Sequence, residues 1–222
     1  MVLIAKLYPD SKVEISGFLA RHYELLLNLV TGWRYRGFIA RAIDDMKISP
    51  SDRILDMGAG SGYNAEFMAA YLGGDGGLLG LDIGEEAIEQ FKSKFPGSEN
   101  VRIENRRVDR ELPYEAEFDK AFTSFVLHGL PHESRMELLA NAYRCLKDDG
   151  RFFILDYGDF ELSEMPFYIR EPFKLLECKY AFDYLNRDWY SILNREGFEV
   201  IDTKAYYKNF ARLITAGKAG SR

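Results

Sequence analysis

One stretch constrains this chain more than any other: Ile54-Leu55-Asp56-Met57-Gly58-Ala59-Gly60-Ser61-Gly62-Tyr63-Asn64. Apolar residues, an acid, three alternating glycines and then a helix start read as a buried strand that ends in a tight turn and opens into a helix. Glycine lets the backbone turn sharply and lets a ligand lie against bare main chain, while the first turn of the helix presents unpaired N–H groups. Such a unit is a nucleotide-binding strand–turn–helix. Spacing then separates its users. The dinucleotide fingerprint G-x-G-x-x-G sets its third glycine three positions after the second. Here Gly58, Gly60 and Gly62 alternate, and Asp56 stands two residues ahead of the first. An NAD(P) site is therefore the second reading of this turn.

With 222 residues, 47% of them hydrophobic, the chain suits one α/β domain with a sizeable core. No stretch approaches the ~20 apolar residues of a membrane span. Met-Val-Leu-Ile-Ala-Lys at the N-terminus lacks the pattern of a secretory signal, so a cytoplasmic location is expected. A net charge of −6 and a pI near 5.3 argue against a nucleic-acid partner. The arginines Arg102, Arg106, Arg107 and Arg110 are interrupted by Glu104, Asp109 and Glu111, which reads as a solvated face of mixed charge. Cys145 and Cys178 form no C-x-x-C pair. They are expected as buried thiols, with no metal site.

Apolar residues at helical spacing from Lys12 to Met46 predict two helices, split at Thr31-Gly32. Strands are expected at Arg53–Met57, Leu78–Asp82, Val101–Asn105, Phe118–Ser124 and Arg151–Tyr157. Helices are expected at Tyr63–Tyr71, Glu85–Phe95, His132–Leu146 and Asp188–Glu196. Gly150 is read as the C-terminal stop of the third of these and Gly197 as that of the fourth. The run Gly73-Gly74-Asp75-Gly76-Gly77 is read as the loosest connector. Strands alternating with helices imply a parallel sheet with right-handed crossovers. Phe198–Tyr206 and Phe210–Ala216 are joined by only three residues, which requires an antiparallel hairpin at the end.

Several segments, in order, resemble the class I S-adenosylmethionine-dependent methyltransferases. The glycine turn with Asp56 looks like their motif I. Leu79-Gly80-Leu81-Asp82 looks like motif II, with Asp82 twenty residues past Gly62. Val108-Asp109-Arg110-Glu111-Leu112-Pro113-Tyr114 resembles the family's short acidic segment. Phe118 to Leu130 matches its fourth strand and loop, and Leu146 to Ile154 its entry to the fifth. Phe18 to Arg36 is similar to the start of the ubiquinone/menaquinone-biosynthesis C-methyltransferases, although the order of residues after Gly32 and the long C-terminal signature of that group are not reproduced.

The resemblance implies a Rossmann-like methyltransferase fold: a mostly parallel seven-stranded sheet with an antiparallel last strand and N-terminal helices. It implies a single domain over 1–222, with a helical lid at 1–48, a cofactor-binding half at 49–157, and substrate-side helices and the terminal hairpin at 158–222. It also implies S-adenosylmethionine as cofactor. The implied contacts are Asp56, Gly58, Ala59, Gly60, Ser61 and Gly62 at the turn, and Asp82 with Ile83 at the ribose. Val108 and Asp109 would meet the adenine, Ser124 would flank the site, and Tyr23 would cover it.

Methyl transfer from a sulfonium is an in-line displacement, so a base is needed only where the acceptor must lose a proton. His128, just past the fourth strand, is the candidate base, because the carboxyl ends of strands face the ligand crevice in an open α/β sheet. A structural loop histidine is the alternative. His22 and His132 read as packing and capping residues. Phe160, Phe167, Tyr168, Phe173, Tyr180, Phe182, Tyr184, Trp189 and Tyr190 lie between the fifth strand and the hairpin. They are expected either to line an acceptor pocket or to form ordinary core. The expected partner is therefore a small, apolar or aromatic methyl acceptor. Its reacting atom and the oligomeric state stay open. An NAD(P)-dependent oxidoreductase and a non-catalytic cofactor-binding module are the rival readings.

Overall fold

The structure is a computed structural model and describes residues 34–164, 167, 170, 171, 174, 178–207 and 209–220. The expected first helix, with His22 and Tyr23, lies outside the described residues, as do Tyr168 and Phe173. The described chain begins with helix α1 (Arg34–Asp45), which turns at Ser49–Asp52 into strand β1 (Arg53–Met57). There follow α2 (Tyr63–Ala69), β2 (Gly77–Asp82), α3 (Glu85–Lys94), β3 (Val101–Asn105) and β4 (Phe118–Ser124). A single 3-10 turn, Leu127–Gly129, leads to α4 (His132–Cys145) and β5 (Leu146–Tyr157). The chain ends with α5 (Lys179–Leu185), α6 (Trp189–Arg195), β6 (Phe198–Tyr206) and β7 (Ala211–Lys218).

The seven strands form one sheet in the order β3-β2-β1-β4-β5-β7-β6. The pairs among β1 to β5 are parallel, and β7 runs antiparallel to both β5 and β6. The seven-stranded, mostly parallel fold with an antiparallel last strand is thus the one expected. The chain reverses its lateral direction between β1 and β4, and that is where an open α/β sheet forms its ligand crevice.

Two apolar layers cover the sheet. On one face, Phe38, Ile39, Ala42 and Ile43 of α1 pack with Met68 of α2 and Phe91 of α3. On the other, Leu138, Leu139 and Ala142 of α4 pack with Tyr184, Trp189 and Leu193. The spacing of Ile39, Ala42 and Ile43 is one stripe of a helix, and each such isoleucine contributes about 1.5–3 kcal/mol by leaving water. Asp188 caps α6 by accepting from the Ser191 N–H, and Gly197 ends it at a φ of 87°.

Three local expectations are corrected. Helix α4 stops at Cys145, and Leu146–Gly150 already belongs to β5, with an irregularity opposite Phe118–Lys120. Gly150 is not a left-handed stop. A Cβ there would come within 3.1 Å of the Phe118 carbonyl oxygen, so glycine lets the two strands close around the bulge. The Gly73–Gly77 run is not loose either. Gly73 donates to the Pro50 carbonyl and Gly77 to that of Asp52, which pins the run to the turn before β1.

The third correction concerns the late aromatics. Tyr184 and Trp189 are buried, their rings 4.5 Å apart with the Arg135 guanidinium against both, and Tyr190 bonds outward to Thr203. These three are core and edge residues and do not line an acceptor pocket.

Candidate active site

The glycine turn leaves β1 at the centre of the sheet. Gly58, Gly60 and Gly62 all take positive φ, at 93°, 55° and 81°. Gly58 and Ala59 donate to the Leu81 carbonyl at 2.9 and 3.0 Å, which ties the turn to β2. A Cβ on Gly58 would sit 2.4 Å from the Val126 side chain, whereas one on Gly60 would meet nothing within 4 Å among the described residues. Gly58 is therefore fixed by packing. Gly60 faces open space, where a ligand can approach the main chain.

Asp56, next to last in β1, is fully buried, and among the described residues neither carboxylate oxygen has a hydrogen-bond partner. Burial, and after it the negative charge of Asp82, pushes its carboxyl up to about 8. A buried carboxyl without a partner is costly in its charged form. Asp82 has a different role. Its Oδ2 accepts from the Gly60 N–H and its Oδ1 from those of Ile83 and Gly84, each at 2.8 Å. These bonds brace the glycine turn against the end of β2. A carboxylate offers about four acceptor positions, so one remains for a ligand hydroxyl.

Asp109, also buried, lies past β3. Arg107 holds it through two contacts of 2.9 Å, and the Ser134 hydroxyl donates to it at 2.7 Å. The expected solvated mixed-charge face is thus partly a buried ion pair. Asn141 of α4, which sequence reasoning passed over, donates to the carbonyls of Val108 and Arg110 and accepts from the Leu112 N–H. It fixes the backbone of this loop.

Ser124 closes β4, and Phe125 follows at a φ of 54°, a conformation a bulky side chain rarely adopts. The left-handed residue turns the chain sharply, and its N–H donates to the Leu155 carbonyl at 2.8 Å. The 3-10 turn then carries His128 over the end of β5. There its Nδ1 lies 2.8 Å from Asp156 Oδ1, and its backbone N–H donates to Asp156 Oδ2 at 3.2 Å. The His128 ring is 4.5 Å from that of Tyr157 and 6.3 Å from that of Phe125. Phe38 of α1 reaches Phe125 at 6.4 Å, and Tyr35 stacks on Tyr63, next to the last glycine, at 5.7 Å.

The carboxyl ends of the strands thus bring together Asp56, Gly58, Ala59, Gly60, Ser61, Gly62, Asp82 and Ile83, with Val108 and Asp109 on one flank and Ser124 and His128 on the other. Tyr23 lies outside the described residues. Asp156 was not foreseen, yet a signal existed: Ile154-Leu155-Asp156 at the end of β5 repeats the Ile54-Leu55-Asp56 of β1. His132 begins α4, and among the described residues its buried Nδ1 has no hydrogen-bond partner. Burial, then Arg187 and Arg135, push its imidazole below the ordinary range.

Comparison with known proteins bears on the fold that carries this geometry. Residues 54–150 match a family model described as a methyltransferase domain. The chain is 27% identical over 177 residues to an uncharacterized methyltransferase of Synechocystis, covering 78% of this chain and 79% of that one. It is 24% identical over 205 residues to a ubiquinone/menaquinone biosynthesis C-methyltransferase of Bordetella parapertussis, covering 90% and 71%. Among solved structures, a TehB-like S-adenosylmethionine-dependent methyltransferase of Corynebacterium glutamicum superposes with a TM-score of 0.61 at 21% identity, covering 90% of this chain and 97% of that one. The domain match lies on the segment that carries the glycine turn, and the strand order extends the likeness to the whole sheet: the chain contains a methyltransferase domain and has the fold of the class I S-adenosylmethionine-dependent methyltransferases.

Proposed function

We propose that the chain methylates a small, apolar or aromatic acceptor whose reacting atom lies beside His128. One observation carries this reading. His128 stands at the end of β4, next to β1 with its glycine turn, and is flanked by the rings of Tyr157 and Phe125. Aromatic walls favour a flat or apolar partner, and the similarity to a quinone C-methyltransferase supports the same class.

The residues fit the cofactor. Asp56, buried and without a hydrogen-bond partner among the described residues, would hold its ammonium group, and Gly60 would let it approach the main chain. Asp82 would take a ribose hydroxyl, and Val108 and Asp109 would flank the adenine. When bound, the cofactor supplies a methyl group on a positively charged sulfur. The protein's own work is then to align the acceptor and exclude water. Of the expected lid over residues 1–48, residues 1–33 with Tyr23 lie outside the described residues, and α1 packs as a core layer; the contacts of Tyr35 with Tyr63 and of Phe38 with Phe125 put that helix beside the crevice.

The test is turnover with S-adenosylmethionine against a panel of phenols, quinols, aliphatic amines and thiols, read as formation of S-adenosylhomocysteine. Phenols or quinols are expected to be the substrates. Turnover confined to aliphatic amines or thiols would contradict the aromatic acceptor.

Two glycine substitutions separate fold from binding. Gly58→Ala should lose about 2 kcal/mol or more of stability through strain and the Val126 overlap. Gly60→Ala should lose less, roughly 1 kcal/mol for its left-handed backbone, yet bind S-adenosylhomocysteine at least tenfold more weakly. Denaturant midpoints and calorimetry read the two effects. Equal stabilities, or unchanged affinity in Gly60→Ala, would contradict the assignment of Gly60 to the ligand face.

A further inference from the structure

We propose that Asp156 is a positioning residue for His128. It accepts the hydrogen bond of Nδ1–H, sets the basic lone pair on Nε2, and so makes the site one for an acceptor that enters protonated, as a phenol, quinol or enol. The inference rests on the proposed function and adds to it the acceptor's proton and the group that receives it.

Asp156 is fully buried at the carboxyl end of β5, on the face that carries Ile154 and Tyr184. Its oxygens take three hydrogen bonds: the Nδ1 contact at 2.8 Å, the His128 backbone N–H at 3.2 Å and its own neighbour's Tyr157 N–H at 2.8 Å. It therefore grips both the ring and the main chain of the same histidine. An ionised carboxylate only accepts, so a contact of this length requires the hydrogen to sit on Nδ1. Neutral imidazole then keeps its lone pair on Nε2, the end of the ring away from Asp156.

The histidine is also held from behind. Arg135, fully buried on α4, donates to the Leu127 carbonyl at 2.8 Å and to that of His128 at 3.5 Å. Its remaining bonds reach the Tyr180 carbonyl and the Asp183 carboxylate of α5, both at 2.6 Å. A helix residue thus clasps the turn that carries the base, and a strand residue orients its ring.

Among the described residues, the other charged and titratable groups around the pair are on α4, α5, β5 and β7. Arg212 of β7 lies directly opposite Asp156 in the sheet and is ion-paired with Asp159. Tyr184 of α5 is pushed well above its ordinary range by burial and then by Asp156, so it stays a neutral phenol. Arg135 and Asp183 complete the set. Tyr157 stacks obliquely on the imidazole.

The chemical consequence concerns the acceptor. An amine that enters deprotonated needs no base, whereas a neutral hydroxyl or enol becomes a good nucleophile only as its proton leaves. In the step the acceptor's oxygen or enol carbon forms the bond to the methyl carbon. The electron pair of the breaking carbon–sulfur bond stays on sulfur, and the acceptor's hydroxyl proton ends on Nε2. Charge balances: the positive charge that leaves sulfur appears on the imidazolium, 2.8 Å from Asp156.

The test is nuclear magnetic resonance of the full chain with 15N-labelled histidine rings. The sequence holds three histidines, so three imidazoles are seen, and His128→Gln identifies one of them. At pH 8 the His128 ring is expected to carry its proton on Nδ1 and none on Nε2. In Asp156→Asn its titration midpoint should fall by at least one pH unit, a tenfold loss of proton affinity. A wild-type ring protonated on Nε2, or a midpoint unmoved by Asp156→Asn, would overturn the proposal, and the wild-type result decides even if the variant does not fold. Failure of the proposed function reads differently: it appears as turnover confined to aliphatic amines or thiols in the acceptor panel, which the ring spectra do not measure.

Discussion

Asp56→Asn is expected to stabilise the ligand-free protein at pH 8, to change it little at pH 4, and to weaken cofactor binding at every pH. The sign follows from the carboxyl, which is raised from 3.8 to about 8 by burial and by Asp82. Between those values the folded chain keeps a proton that the unfolded chain releases, so wild-type stability falls as pH rises from about 4 to about 8. The loss is of the order of several kcal/mol, at about 1.4 kcal/mol per pH unit. A neutral amide does not titrate and escapes it. For a chain of this size that means a melting temperature higher by roughly 5 °C or more at pH 8. The ligand-bound state reverses the advantage, because an amide offers an ammonium no charge. Wild-type binding should also release close to one proton at pH 7, which calorimetry in buffers of different ionisation enthalpy measures. Stability of the variant that parallels wild type across the pH range would remove Asp56 as the buried acid.

His128→Ala should lower turnover on the acceptor found in the panel ~100-fold or more, the usual share of a general base, while S-adenosylhomocysteine affinity stays intact. The limb of the rate profile on the acid side should disappear with the imidazole. The split between turnover and cofactor affinity is what distinguishes a base from a residue that merely packs, since loss of packing would lower both. Full activity in the variant would return His128 to a structural role.

Much of the sheet was legible because its signals are local. Strand-like segments of five to seven residues bounded by turn residues gave β1, β3 and β4 their observed limits, and a three-residue connection could only be a hairpin. The glycine turn and Asp82 were legible for the same reason. Asp156 was not, because its partner His128 lies 28 residues earlier in the chain and meets it only once β4 and β5 pair. Gly150 misled because glycine serves both a helix stop and a close approach of strands, and only the bulge beside Phe118 distinguishes them. Tyr184 and Trp189 misled because composition counts aromatics without saying which way they face. Arg135, buried on α4 against both rings, is what turns them inward.

The claim at the centre of this account is that the turn bracketed by Asp56 and Asp82 receives S-adenosylmethionine and not a dinucleotide. The most direct measurement is the melting temperature of the full chain with S-adenosylhomocysteine and, separately, with NAD. A ligand at 100 times its dissociation constant adds about 2.7 kcal/mol to the native state. S-adenosylhomocysteine should raise the melting temperature by several degrees, and NAD at the same concentration should leave it unchanged. Stabilisation by NAD with no response to S-adenosylhomocysteine would contradict the account.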